Sequence, residues 1–448
     1  MTITGKDLIG WGFDPGPWFT EALARVNRMR ANGDDDRRII GYLTNQQPAP
    51  SITLRDPNTG PSYNIMLDAT TTDEITNRFK VELDMDALMR CPTVVAGAVM
   101  PDACPAGVIP VGGVVATENA IHPGFHSADI CCSVMMTLLD PYVDEKKLLD
   151  AAHLTTHFGP VSKDRRAPFE IDFGFDRNKF LRGIDPVAHI GTQGDGNHFL
   201  YVGRLSSTGE VAIVTHHGSR GPGAQLYKRG MIAARRHTAK VAPEVTEAMS
   251  WIEADSDDGQ EYWAALQLIR EWTRFNHAWI HNRAIMTLPR KSEVQKRIWN
   301  EHNFVFQKSD GLFYHAKGAT PNWAGYAHDD SGLTLIPLNM AEPILIVEHT
   351  NNRESLGFAP HGAGRNFSRR QHLRQSGDLS QELVDLQAHG LDIRAYSGTQ
   401  DWSELPSAYK DARSVMEQIE KYNIGRVVDT IQPYGSIMAG HIDWRKER

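Results

Sequence analysis

Cysteine is scarce: four residues in 448, namely Cys91, Cys104, Cys131 and Cys132. Four thiols are too few for a disulfide framework, and in a reducing compartment such residues are buried, metal-bound or catalytic. Long apolar runs are missing too. None approaches the roughly 18 residues that a membrane helix needs, and the N-terminal MTITGKDLIGWGF lacks the charged-then-apolar layout of a secretion signal. A cytoplasmic protein without a membrane partner is therefore expected. An excess of positive charge is also absent: 47 Lys and Arg against 55 Asp and Glu give a formal charge of −8. That excludes a protein coated in basic surface for nucleic acid, while leaving room for a local basic groove. There is no internal repeat and no linker-like stretch. What is plentiful is apolar material, 41% of residues, and histidine, with 19 copies.

Periodicity divides the chain coarsely. Phe19, Ala22, Leu23 and Val26 recur at helical spacing and predict a helix over 17–31. Residues 45–75 carry Pro, Asn, Thr and Asp and read as turns and short strands. TVVAGAVM, VIPVGGVVAT and ICCSVMMTLL are short β-branched runs broken by Gly and Pro, which predicts packed strands between 93 and 139. The longest helical pattern spans 260–288, with Tyr262, Leu266, Ile269 and Trp279, and a second covers 407–422. The acidic EADSDDGQE before the long helix reads as a solvated loop. This mixture favours one large α+β unit. Residues 1–90 would form an extension packed on it, and 440–448 a loose tail.

Five segments set a histidine beside glycines or a tight turn: TQGDGNHFLYVG, VTHHGSRGPG, WNEHNFVF, HAKGAT and APHGAGRNFSRR. Glycines let backbone amides close on a ligand, and successive amides form an anion-binding concavity. Each segment alone is weak, since a lone histidine in a turn is more often a satisfied hydrogen-bonding residue. Together they supply His198, His216, His217, His302, His315 and His361. With Asp129 and Cys132 they make a binuclear metal site reasonable. By softness alone a thiolate favours zinc, cobalt or iron over manganese.

ADICCSVM also has a bland reading. Cysteine is a buried residue type, and Ile130, Val134 and Met136 suit a core strand. On a strand, alternation places Asp129 with Cys131 and Ile130 with Cys132. Asp129 and Cys132 can share an ion only if the chain bends there, so both readings stay open. Two basic strips stand out in this acidic chain. Residues 214–240 hold Arg220, Lys228, Arg229, Arg235, Arg236 and Lys240 without an acid, and residues 365–374 hold Arg365, Arg369, Arg370 and Arg374. A basic strip is usually a solvated face. Because both follow a Gly-rich histidine turn, phosphate or polynucleotide binding is the better reading.

Taken in order, AVMPD, IPVGGVVAT, PGFHSADICCSV, GDGNHF, HHGSRG, HNFV, KGATP, HGAGRNFSR and LPSAYKD resemble the RtcB family of RNA ligases across roughly residues 95 to 436. The resemblance implies an α+β catalytic domain holding two Mn²⁺ ions on Asp129, Cys132, His198, His216 and His302, with the Cys132 thiolate bridging them. It implies that His361 is the nucleophile that takes a nucleotide from GTP, or another NTP, with Asp102 orienting it. It places Asn197, Tyr201, Asn303, Asn339, Gly362, Ala363, Gly364 and Tyr409 about the nucleotide. Arg220, Lys317, Arg365 and Arg369 would contact phosphate or RNA. The implied partner is RNA with a 3′-phosphate or 2′,3′-cyclic phosphate end and a 5′-hydroxyl end. A monomer is expected, and whether an activating protein is needed is open.

The departures from the family pattern sit together. Tyr201 stands where the family has a guanine-reading Glu, and Ala439 where it has a Lys. Pro337-Leu338-Asn339-Met340-Ala341 replaces Pro-Gly-Ser-Met-Gly. Ala316 replaces an Arg and Cys104 a His. Lost polar contacts to a base are worth about 1–3 kcal/mol each, so the base is the open part of the expectation. The alternatives are a metal-dependent phosphoesterase without nucleotidyl transfer and an RNA-end-binding protein with a vestigial site. A redox pair at Cys131–Cys132 is the weakest candidate, because adjacent cysteines form only a strained disulfide.

Overall fold

The β-branched runs form strands, and most of the strands belong to two main sheets. In the computed structural model, which describes residues 2–47, 52–159 and 171–441, the class is α+β with mainly antiparallel pairing. The smaller sheet has five strands in the order Tyr63–Ile65, Val94–Cys104, Val111–Thr117, Phe313–Lys317 and Asn303–Gln307. Only its first pair is parallel. The larger sheet runs Leu333–Pro337, Ile344–Glu348, Arg426–Met438, Phe199–Leu205, Val211–His217, Ser133–Leu139 and Val294–Glu301, with Asp392–Ala395 beside Arg426–Met438 in parallel. Its central strands Val211–His217 and Ser133–Leu139 are buried along their whole length. This is why they read as continuous apolar runs rather than alternating ones.

Two compact units divide the chain. One comprises Met1–Thr53 with Ala239–Glu244, the other Leu54–Thr238 with Val245–Arg448. The first has its own core of Leu8, Val26, Ile39 and Leu43, supplied by helices that include Phe19–Ala31 and Asp36–Gln46. The second carries both sheets. Its longest helix, Asp257–Met286, buries Tyr262, Leu266, Ile269 and Trp272 in the main apolar cluster, each worth roughly 1.5–3 kcal/mol when fully buried.

Several sequence expectations shift at element ends. Ser256 caps the long helix by accepting the Gly259 N–H, so Asp257 and Asp258 of the acidic stretch are its first turn, where they oppose the helix dipole. Ile252–Glu253 pairs with Ala120–Ile121 as a short strand. The helix expected over 407–422 is a 3₁₀ turn at Pro406–Ala408 followed by helix Ala412–Lys421. Thr72–Met89 is a helix where residues up to 75 read as turns; Thr71 and Glu74 form its capping box. Of the tail at 440–448, residues 442–448 lie outside the described residues.

The register places the site. Ser133 pairs with both His217 and Glu301, and Phe199 pairs with both His216 and Met438. Residues 132, 198, 216 and 302 therefore arrive at one end of four neighbouring strands. His302 is also the single residue between strand Val294–Glu301 of the large sheet and strand Asn303–Gln307 of the small one. Among the described residues, no helix is long and apolar enough to cross a membrane.

Candidate active site

The bend that ADICCSVM required is present. The strand starts at Ser133, and the four residues before it form a turn in which the Cys132 N–H donates to the Asp129 carbonyl at 3.2 Å. Cys131 adopts a left-handed φ of 58°, which is uncommon for a residue with a side chain. Its N–H is fixed on the Asn303 carbonyl at 2.7 Å, and its thiol is buried in the main apolar cluster. Cys131 thus turns the chain, and Cys132 is released from strand alternation to face the same way as Asp129. Gly218 makes room for this: a Cβ there would lie 2.1 Å from Asp129 Oδ1.

Two groups of donors meet at one sulfur. Cys132 Sγ lies 3.2 Å from His216 Nε2 and 3.5 Å from His198 Nε2. His216 Nε2 is 3.1 Å from His302 Nε2, and His198 Nε2 is 3.1 Å from Asp129 Oδ2. Cys132, His216 and His302 make one three-donor set, and Asp129, Cys132 and His198 make another. Burial, then the neighbouring histidines, holds the His216 and His302 imidazoles well below the usual histidine range, so they are neutral and offer lone pairs. Burial would raise the Asp129 carboxyl, but His198 and Arg220 hold it far below the ordinary carboxylate range. Burial and the Asp129 carboxylate push the Cys132 thiol up. Lone-pair donors converging in a dry place, with a thiolate disfavoured, are a set that a cation would relieve. The residues fit a pair of ions sharing one sulfur.

His361 follows the short strand Phe358–Pro360, and its ring centroid is 4.8 Å from that of His302. Its Nδ1 is 2.6 Å from Oδ2 of the fully buried Asp102, which also accepts the His361 backbone N–H at 3.1 Å. Asp102 comes from strand Val94–Cys104 of the small sheet. With Nδ1–H held by the carboxylate, Nε2 carries the free lone pair. Gly364, at φ 74°, passes so close that a Cβ would lie 2.0 Å from the Asp102 carbonyl oxygen.

His216 and His361 open into one cavity of the large unit. Asn197, Tyr201, Asn339, Gly362, Ala363, Gly364, Arg365, Arg369 and Tyr409 all line it. Several expected residues have their polar atoms engaged by the protein itself. Tyr201 is 2% exposed and its hydroxyl donates to the Ile431 carbonyl at 2.8 Å, leaving only its ring to the cavity. Asn303 bridges backbone, donating to the Asp129 carbonyl at 3.4 Å and accepting from the Gly318 N–H at 2.8 Å. Lys317 is turned onto the carbonyls of Ala106 and Ile109. Arg220 holds His198 from behind, 2.7 Å from its Nδ1. His315 is fully buried and accepts the His122 N–H at 2.9 Å, which makes it a core histidine. The strip 214–240 is largely helix Arg220–Val241. There Arg229 donates to the Phe180 and Arg182 carbonyls, Arg235 pairs with Glu247, and Arg236 pairs with Asp258.

Glu404 is the residue that the sequence reading missed. It is buried, lines the cavity, and gathers Arg369 Nε, Arg365 NH1 at 3.4 Å and the Tyr409 hydroxyl. The Arg365 guanidinium also lies 5.1 Å from the Tyr409 ring centroid. The available signal was position: Glu404 immediately precedes the LPSAYKD segment, between the arginines of 365–374 and Tyr409.

A family model described as tRNA-splicing ligase RtcB matches residues 183–439, a span that begins after Asp102, Asp129 and Cys132. The protein named tRNA-splicing ligase RtcB of Thermococcus kodakarensis is 30% identical over 420 residues, covering 75% of this chain and 86% of that protein. The namesake of Aeropyrum pernix is 27% identical over 417 residues, with coverage of 75% and 86%. RNA-splicing ligase RtcB homolog 1 of Entamoeba histolytica is 25% identical over 283 residues, 54% of this chain and 53% of that protein.

Proposed function

We propose, as the chain belongs to the RtcB family of tRNA-splicing ligases, that it joins an RNA 3′-phosphate or 2′,3′-cyclic phosphate to a 5′-hydroxyl through a nucleotide carried on His361. Membership makes it an RNA ligase of the tRNA-splicing class, and the finer steps are our reading. The observation that carries them is a histidine with its Nδ1 held at 2.6 Å by a buried carboxylate, beside a donor cluster built on one sulfur. Hydrolysis by metal-activated water alone would not need such a nucleophile.

Asp129, Cys132, His198, His216 and His302 would hold two Mn²⁺ ions, with Cys132 common to both. When bound, these ions screen phosphate charge and stabilise the pentavalent transition state. The protein's own part is positional. Asp102 keeps the His361 Nδ1 proton, so that neutral Nε2 attacks the α-phosphorus of an NTP. A P–N bond forms, the bond to pyrophosphate breaks, and the Nδ1 proton stays on the Asp102 side. Asn197, Arg365 and Arg369 would receive phosphate oxygens, the guanidinium fork being suited to them. The nucleotide then passes to the RNA 3′-phosphate, and the 5′-hydroxyl of the second RNA displaces it. A cyclic phosphate is opened first. The working form is a cytoplasmic monomer.

The test is a joining assay with Mn²⁺ and all four NTPs. Strands ending in 3′-phosphate and 5′-hydroxyl should be sealed, strands ending in 3′-hydroxyl and 5′-phosphate should not, and His361→Ala should seal neither. Release of inorganic phosphate from the 3′ end without joining would establish the phosphoesterase instead.

A further inference from the structure

The far end of the cavity from His361 has a different lining. Its floor is the large sheet. His216, Phe199 and Met438 form one row across three neighbouring strands, and Val214, Tyr201 and Ser436 form the row two residues further along. Strands about 4.8 Å apart, with a rise of about 3.4 Å per residue, set Ser436 roughly 12 Å from His216. That is comparable to the span from an α-phosphate to the far edge of a purine. With the phosphate at His361, the base would lie over the Tyr201–Ser436 row.

Ser436 is 2% exposed and lines the cavity, and among the described residues its Oγ has no hydrogen-bond partner. A buried orphan hydroxyl carries a desolvation penalty that a ligand could relieve. The same cavity is also lined by the apolar Leu338, Met340, Ile344, Met438 and the Tyr201 ring. Two further polar groups of the lining are engaged. The Tyr201 hydroxyl is on Ile431, and the Glu404 carboxylate is taken by two arginines and Tyr409. Asn339 Oδ1 accepts the Ala341 N–H at 2.9 Å, which turns the amide toward donation.

This inventory bears on which base fits. Guanine buries two adjacent donors, N1–H and the N2 amine, beside the O6 acceptor. Adenine presents one acceptor, N1, one amine and an apolar C2–H. A hydroxyl serves as donor or acceptor and the Asn339 amine as donor, which matches the adenine edge. Guanine placed there leaves a donor unpaired, and unpaired buried groups are how such sites reject a ligand. We infer that Ser436 reads the base and that this cavity takes adenine at least as well as guanine, so that ATP charges His361 no more slowly than GTP. The inference rests on the nucleotidyl transfer proposed above, and the bonds made and broken are the same for either base.

The test is the initial rate of protein labelling by each α-phosphate-labelled NTP with Mn²⁺, for the full chain and for Ser436→Ala. ATP should match or exceed GTP, and Ser436→Ala should slow labelling from ATP about tenfold, the worth of one hydrogen bond of ~1.4 kcal/mol. The second readout needs no turnover: the thermal shift of His361→Ala on adding ATP or GTP should be at least as large for ATP, and smaller when Ser436→Ala is also present. Labelling about tenfold faster from GTP than from ATP would overturn the inference while sustaining the transfer reading. An unchanged Ser436→Ala protein in both assays would also overturn it. Absence of labelling from every nucleotide would overturn the transfer reading and, with it, the charging of His361 by ATP.

Discussion

The two ends of the cavity are built on opposite principles. At the His361 end each group that matters is fixed by another: His361 by Asp102, His198 by Arg220, and Cys132 by its place between two imidazoles. Along the sheet floor, apolar side chains such as Ile344 and Met438 line the same cavity as Ser436, whose hydroxyl has no partner among the described residues. On the proposed reading, the chemistry and the identity of the nucleotide are separable in this fold. The first is set by residues at strand ends that the register holds together. The second is set by side chains along the sheet floor, which can change without moving a strand.

Perturbing the chemical end should have the largest effects. Cys132→Ala removes the donor common to both sets, and should abolish binding of both metal ions and lower joining by about a thousandfold or more; metal content by mass spectrometry, read beside the joining rate, checks this. His302→Ala, which touches one set only, should leave part of the metal bound. Asp102→Asn keeps the shape but loses the charge that holds the Nδ1 proton. Labelling of His361 should fall about a hundredfold, with nucleotide affinity little changed, since an orienting group acts on the reacting tautomer.

Smaller effects would sharpen the contrast. Glu404→Gln frees Arg365 and Arg369 from their carboxylate, and should weaken nucleotide binding about tenfold, measured as KM for labelling. Lys317→Ala, because its Nζ is tied to backbone carbonyls, should leave the salt dependence of RNA binding unaltered, whereas Arg369→Ala should reduce it by about one ion. A separate prediction concerns stability against pH. Burial depresses His122 to about 3 and His126 to about 4. In the unfolded chain both return to about 6.5 and bind protons first. Stability is therefore full above about 6.5 and falls as pH drops toward 4. Thermal unfolding between those values should show that decline, less steeply in His126→Asn.

Much of the chemical end could be read from the sequence because its residues sit in short turns at strand ends. A histidine beside glycine is an unusual core residue and stays visible without the fold. What the sequence concealed were pairings over long separations. Alternation argued against Asp129 and Cys132 acting together, and only the left-handed backbone at Cys131 removes the objection. Asn303 and Lys317 look like ligand contacts by type, yet backbone groups brought by other segments claim their polar atoms. Glu404 looks like an ordinary surface acid until the arginines of 365–369 and Tyr409 close around it. The strip 214–240 looked like a phosphate track, but as a helix it spends Arg229, Arg235 and Arg236 on its own chain.

The central claim is that His361 carries the nucleotide. The most direct measurement is mass spectrometry of the intact protein and of its peptides after incubation with Mn²⁺ and NTPs. The account predicts one nucleotide monophosphate per chain, acid-labile and alkali-stable, on the peptide containing His361, and none on His361→Ala. A nucleotide on a lysine, or none in a protein that has bound its metal, would contradict it.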